Sequence, residues 1–201
     1  MPNFFAQHNK RRENITTQDQ IILEIERLAR QGNIKAQLVL AGSYLLGTNG
    51  VNKDYSKGIY WLHKAGEQGD ATAQAALGAI YYRGQYVSKD YLQAAYWSKK
   101  AAEQGNKNAQ TRIGFMYYEG NGVAKDYFQA AYWLQKAAQQ GIPEAQFALG
   151  SMYAGGKGIA PDPEQALYWL KKSADQGFEP AQKTLKDLIN SMDNKNESKV
   201  F

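Results

Sequence analysis

Four tryptophans stand at Trp61, Trp97, Trp133 and Trp169, and every gap between them is 36 residues. Each follows a tyrosine: Tyr60, Tyr96, Tyr132 and Tyr168. Aspartates recur on the same period at Asp54, Asp90, Asp126 and Asp162. Glycines do so at Gly69, Gly105, Gly141 and Gly177, with Gly32 one residue out of step. An Ala-Gln pair follows each of these glycines, at Ala36-Gln37, Ala73-Gln74, Ala109-Gln110, Ala145-Gln146 and Ala181-Gln182. A period of this length marks stacked supersecondary units, because one short unit cannot cover its own apolar face.

The out-of-step residue is placed by comparing units. Tyr44 and Gly47 precede Tyr81 and Gly84 by 37, whereas Asp54 and Trp61 precede Asp90 and Trp97 by 36. The insertion therefore falls between Gly47 and Asp54, in a Gly/Asn-rich loop. Each unit reads as two helices. With Ala109 as position 1, Ile113, Gly114 and Tyr117 are positions 5, 6 and 9, which share one face at about 100° per residue. The small residue at position 6 (Gly78, Gly114, Gly150, and Ala41 in the first unit) lets a neighbouring helix approach closely. Gly120 and Gly122 end this first helix, and Val123 is expected to plug the core from the loop. The second helix starts at the aspartate. Asp90-Tyr91-Leu92-Gln93 and Asp126-Tyr127-Phe128-Gln129 resemble capping boxes with Asp for Ser/Thr, while the first unit has Lys57 where glutamine is expected. Asp162-Pro163 adds proline where its missing N–H costs nothing. Ala94, Trp97, Ala101 and Ala102 then form a buried stripe.

The expected organisation follows. Residues 1–17 form a polar, disordered tail; 18–32 match only a second helix and cap the array; the units are 33–69, 70–105, 106–141 and 142–177; 178–192 match only a first helix and form the other cap; 193–201 form a second tail.

The pattern Ala-x-x-x-Leu-Gly-x-x-Tyr, Gly-x-Gly-Val-x-Lys-Asp, Ala-x-x-Trp, Lys-Ala-Ala-x-x-Gly resembles the Sel1-like repeat, a relative of the tetratricopeptide repeat. The third unit carries it most fully, from Ala109, Ile113, Gly114 and Tyr117 through Gly120, Gly122, Val123, Lys125 and Asp126 to Ala130, Trp133, Lys136, Ala137, Ala138 and Gly141. The resemblance implies an all-α fold, a right-handed α/α superhelical solenoid of about four helix pairs, with the first helix of each on the concave side. It also implies a role in holding other proteins. One cysteine-rich, secreted branch of the family is linked to β-lactam binding. Its members staple each repeat with a disulfide, and that activity is not carried to a chain without cysteine.

Composition narrows the function further. Zero cysteine excludes a thiol nucleophile, zinc–thiolate sites and a disulfide scaffold. Two histidines, His8 and His63, leave little for metal binding or proton transfer near neutral pH, and no cofactor or metal is expected. Asp54, Asp90, Asp126 and Asp162 are each explained as a helix cap and fall one per unit, too far apart to share acid–base work. Gly120-Asn121-Gly122 precedes no Gly-Lys-Ser/Thr, so no phosphate loop is present. The net charge of +5 is spread thinly, with 15 basic against 11 acidic residues from Asn33 to Gly177, which argues against a nucleic-acid binder. No apolar run is long enough to span a membrane and no secretory leader is seen, so a cytoplasmic protein is expected. The small, cysteine-free form suggests a bacterial one, and the two capping helices suggest a monomer when free.

The recurring residues are accounted for by packing. Candidate contacts are residues that vary between units on the face of the first helix opposite its buried stripe. Leu38, Leu45, Tyr82, Phe115, Tyr118 and Phe147 give an apolar and aromatic strip, joined by Thr111 and flanked by Arg83, Arg112, Glu119 and Glu144. Aromatics and arginine are frequent interface anchors. Each of these side chains could instead pack between repeats, and both readings stand at this point. Lys64, Lys100, Lys136 and Lys172 recur every 36 and read as a solvated row near helix C-termini, where cations are favoured. Lys10-Arg11-Arg12 reads as a solvated tail. The expected function is a non-catalytic protein–protein interaction module or adaptor that binds a partner protein in its groove. The alternatives are an inhibitor or immunity-type protein that occludes a toxin or enzyme, and, less favoured, an enzyme acting on cell-wall or small-molecule substrates.

Overall fold

The structure, a computed structural model, describes residues 17–197. His8 and the Lys10-Arg11-Arg12 cluster lie outside the described residues, as does the end of the second tail. Among the described residues all regular structure is helical. The elements are α1 (Thr17–Arg30), α2 (Ile34–Leu46), α3 (Tyr55–Glu67), α4 (Ala71–Arg83), α5 (Tyr91–Glu103), α6 (Lys107–Glu119), α7 (Tyr127–Gln139), α8 (Pro143–Gly155), α9 (Pro163–Asp175) and α10 (Glu179–Glu197). The even-numbered helices are the first helices of the period and α3, α5, α7 and α9 the second. The chain divides into two compact units, Met1–Leu77 and Gly78–Phe201, so the division falls inside α4.

Each second helix begins one residue after its aspartate. The Asp54, Asp90, Asp126 and Asp162 carboxylates accept from the backbone N–H of Lys57, Gln93, Gln129 and Gln165, all at 3.0 Å. Lys57 in place of glutamine leaves the cap intact, because this bond needs only the backbone at that position; its ammonium also lies 3.4 Å from Asp54. The first helices have caps of their own. Asn33 and Asn106 accept from Ala36 and Ala109 at 3.0 Å, and Asp70 from Ala73 at 2.7 Å. Ile142 makes no such bond, and Pro143 at the helix start takes over.

In the first unit α1 packs on α2 and α2 on α3, around Leu40, Ala41, Tyr44, Ile59, Trp61 and Leu62. In the second unit α6, α7, α8, α9 and α10 pack each on the one before it. Their core includes Ile113, Met116, Leu134, Leu149, Met152 and Leu170, each at most 2% exposed, with Trp133 and Trp169 at the edge of the same stripe. The small residue of the first helix is required by its partner. A Cβ on Gly114 would stand 2.8 Å from Leu134 Cγ, and one on Gly150 2.9 Å from Leu170 Cγ. The first repeat reverses the arrangement: Ala41 is tolerated, and Gly58 on α3 makes the room instead, where a Cβ would meet Leu45 Cγ at 2.7 Å.

Two expectations change. The buried face of the first helix is wider than positions 1, 5, 6 and 9, because Gln37, Gln74, Gln110 and Gln146 and also Ser43, Ile80, Met116 and Met152 are buried, while Tyr117 is only half-buried. The last helix runs to Glu197, past the expected end at 192 and into the segment expected as a tail.

Candidate functional site

In the second unit the candidate band comprises side chains of α4, α6 and α8. Tyr82, Arg112, Phe115, Tyr118 and Phe147 are all half-buried, while Arg83, Glu119 and Glu144 are exposed. The aromatic rings are held from one side. Tyr82 leans on Tyr91, the first residue of α5, at 5.5 Å between centroids. Tyr118 leans on Tyr127, the first residue of α7, at 5.1 Å. Phe147 meets Phe178 at 5.6 Å. Phe115 and Tyr118 also rest against the core around Leu134 and Leu149. Lys157 Nζ lies 5.6 Å above Tyr118 and donates to its hydroxyl at 3.3 Å, and Lys89 lies 5.5 Å above Tyr91, the ring that braces Tyr82. Tyr82, Tyr118 and Phe147 are therefore each held against a neighbouring ring while part of their surface stays exposed.

Arg112 is the most constrained charge of the band. Its Nη1 donates to Ser98 Oγ on α5 at 3.3 Å. A Cβ on Gly78 of α4 would stand 3.2 Å from that nitrogen and 2.5 Å from Ser98 Oγ, so the guanidinium lies across a bare stretch of helix. Burial, reinforced by the like charge of Arg83, pulls Arg112 down to about 10. Burial also raises Tyr82 above the ordinary phenol value, helped by the negative charge of Glu119. Glu119 accepts from Asn121 Nδ2. Thr111 donates to the Lys107 carbonyl at 2.9 Å, which turns its hydroxyl back onto its own helix. Glu144 lies in the first turn of α8, where an acid meets the positive end of the helix.

In the first unit Leu38 is half-buried on α2. Leu45 is also half-buried and fills the space left by Gly58, so its contact is with α3 of its own repeat.

Two recurring sets prove to be structural devices. The glutamine of each Ala-Gln pair closes a helix end: Gln37, Gln74, Gln110, Gln146 and Gln182 donate to the carbonyls of Ala29, Gly66, Ala102, Ala138 and Ala174 at 2.9–3.2 Å. Within each unit the glutamines also bond across a repeat, Gln68 to Gln37 at 2.8 Å, and Gln140 to Gln110 and Gln176 to Gln146 at 2.7 Å. The lysine row is a row of cation–tyrosine stacks. Lys64, Lys100, Lys136 and Lys172 sit 4.7–5.6 Å above Tyr60, Tyr96, Tyr132 and Tyr168, whose rings meet the neighbouring tryptophan edge-on at about 5 Å. Spacings of one turn between Tyr and Lys were the available signal. Ser98, Tyr91, Tyr127 and Lys157 were missed as parts of the band. For Ser98 a signal existed, because the period puts Leu62, Leu134 and Leu170 at that position.

Among the described residues no three His, Asp or Glu side chains gather as a metal site would need, and no helix is long and apolar enough to cross a membrane.

Four Sel1 repeats match the chain, at residues 34–70, 71–106, 107–142 and 143–178. Among solved structures, c5321, a protective antigen present in uropathogenic Escherichia coli strains that displays an SLR fold, is 38% identical with a TM-score of 0.71, over 78% of this chain and 33% of that one. A Sel1 repeat protein from Oxalobacter formigenes is 36% identical with a TM-score of 0.73, over 84% of this chain and 49% of that one. A curated relative, the ERAD-associated E3 ubiquitin-protein ligase component HRD3A of Arabidopsis thaliana, is 33% identical over 60 residues, which are 30% of this chain and 9% of that protein. The chain thus spans a half or less of the length of each of these relatives. The matched repeats cover most of the described helices, and their register lies one residue beyond the units drawn from the glycine period. With four tandem matches over well more than half its length, the chain belongs to the Sel1 repeat family.

Proposed function

We propose that this chain is a non-catalytic protein-binding module, and that the face carrying Tyr82, Phe115, Tyr118 and Phe147 receives a segment of a partner protein. The observation that carries this reading is the state of those rings. Tyr82, Tyr118 and Phe147 are braced by Tyr91, Tyr127 and Phe178, Phe115 rests against the core around Leu134 and Leu149, and all four keep part of their surface exposed. A braced aromatic loses little conformational freedom on binding and offers a large apolar contact. Exposed Arg83 and Glu119 supply a polar rim of both signs. The periodic residues have packing roles and give no reason for an open aromatic band; partner contact does.

The test is site-specific photo-crosslinking. A photoreactive amino acid placed at Arg83 or Glu119 is expected to trap a protein in cell lysate, and one placed at Lys99, exposed on α5, is not. Trapping only from Lys99 would move the binding surface off the first-helix face. The activity of the trapped partner then separates two roles: an adaptor leaves it intact, and an inhibitor or immunity-type protein abolishes it.

A further inference from the structure

The second repeat breaks the period at one buried point. One position of the second helix is Leu62, Leu134 and Leu170 in the other repeats, at 5%, 0% and 2% exposure; in the second it is Ser98, at 0%. The position that follows it in the next first helix is Ala76 or Ala148 after those leucines in the first and third repeats, and Arg112 after Ser98. The third repeat shows the ordinary solution, with Leu134 Cγ 2.8 Å from where a Gly114 Cβ would stand. In the second, Arg112 Nη1 lies 3.2 Å from the corresponding point on Gly78 and bonds Ser98 Oγ. A guanidinium has taken the room of a leucine side chain. Exchanging a leucine contact for a partly desolvated charge costs stability, and departures from a repeat's own rule concentrate where function requires them.

The exchange places two cations together beside two aromatic rings. Tyr82 stands one turn beyond Gly78 on α4 and so shares the side of the helix that Arg112 crosses, and Arg83 follows it at the end of that helix. Phe115 follows Arg112 by three residues on α6 and so shares its side of the helix. Accepting the protein-binding reading above, we infer that Arg112 and Arg83 form a subsite for a carboxylate of the partner segment, with an adjacent apolar side chain of that segment lying against Tyr82 and Phe115. The complementarity is one of charge and shape: arginine forks match a planar carboxylate.

The experiment uses the whole chain and random heptapeptides displayed on phage. The wild type is expected to enrich peptides with Asp or Glu at one fixed position next to an apolar residue. The enriched peptide, made synthetically, is the probe, and replacing its acid by the amide should weaken binding roughly tenfold or more. The decisive variant is Ser98→Leu/Arg112→Ala, which rebuilds the third repeat's Leu134–Ala148 pairing. It should unfold at higher urea than the wild type and lose the preference for the acidic probe over its amide. Arg83→Gln, at an exposed side chain, should weaken the probe without moving the melting curve. Retention of the acid preference in the double variant overturns the inference. Enrichment of peptides with no acidic position, captured on the same face, sinks the inference alone and leaves the protein-binding reading standing. No enrichment at all, together with no photo-crosslinked partner, removes both. A shift of the Arg112 Nε–Hε resonance with inorganic phosphate, in the absence of any acidic peptide binding, would assign the subsite to a free anion and overturn the carboxylate assignment.

Discussion

Gly122 and Gly105 share a left-handed backbone, with φ of 70° and 87°, but not a neighbourhood. A Cβ on Gly105 meets nothing within 4 Å, whereas one on Gly122 would stand 2.0 Å from the Tyr91 carbonyl oxygen. Gly105→Ala should therefore cost only the left-handed penalty, about 1 kcal/mol. Gly122→Ala must also push the loop off the start of α5, and a total of about 3 kcal/mol or more is expected. Urea unfolding of the two variants separates these terms, and equal losses would mean that the loop yields without cost. His63 carries the pH dependence at this scale. Half-buried on α3, it is pushed by burial below the ordinary imidazole value of 6.5, against the pull of Glu67. The folded chain therefore takes up this proton less readily than the unfolded chain. The His63 contribution is whole above pH 6.5 and is lost as pH falls through that value toward the lower folded one. Thermal melts from ~pH 7.5 to ~pH 5 should show a smaller acid loss in His63→Gln than in the wild type. Identical slopes would place the acid sensitivity elsewhere.

At the scale of the element, the second helices were legible to the residue because one residue type, aspartate, caps all of them. The first helices were not: Asn33, Asp70, Asn106 and Ile142 are of three residue types, and only the helix that follows reveals three of the four as caps. The Ala-Gln pair was visible as a recurrence, yet a polar residue beside a buried stripe reads as a solvent neighbour. Its burial follows from a carbonyl eight residues back, at the end of the preceding helix. Gln110 shows what this is worth. It donates to Ala102 at 3.1 Å and accepts from Gln140 at 2.7 Å. Gln110→Leu keeps the volume and leaves a buried carbonyl with less than it had, at an expected cost of about 1–3 kcal/mol. In a double-mutant cycle with Gln140→Ala the two losses should not add, since they remove one shared bond. Additive losses would show that the glutamines act independently. The candidate band was legible only as a face. The period of one helix says which side a ring leaves from, but the braces Tyr91, Tyr127 and Phe178 belong to other segments, and Leu45 turned inward because Gly58 on α3 left it room.

At the scale of the whole molecule, repeat identity and repeat difference have separate roles. Identity supplies the stack: α6, α7, α8, α9 and α10 each pack on their predecessor in the second unit, so its stability should approach a sum of nearest-neighbour terms. Difference supplies what one partner can recognise, and Ser98 with Arg112 is the clearest case. These roles make the end of the array separable from the Ser98–Arg112 pair, which lies on α5 and α6. The segment from Phe178 onward covers α9 through Ala181, which is fully buried, and through the bond from Gln182 to Ala174 at 3.2 Å, and it covers α8 through Phe178 against Phe147. Ending the chain after Gly177 removes all three. The urea m-value should fall along with the midpoint, because less surface is left to expose. Hydrogen exchange should show the loss graded along the chain: amides of α9 lose most protection, those of α8 less, and those of α5 and α6, which carry Ser98 and Arg112, least. Uniform loss over α5 to α9 would show instead that the unit opens as one body, and a nearest-neighbour account of its stability would then fail.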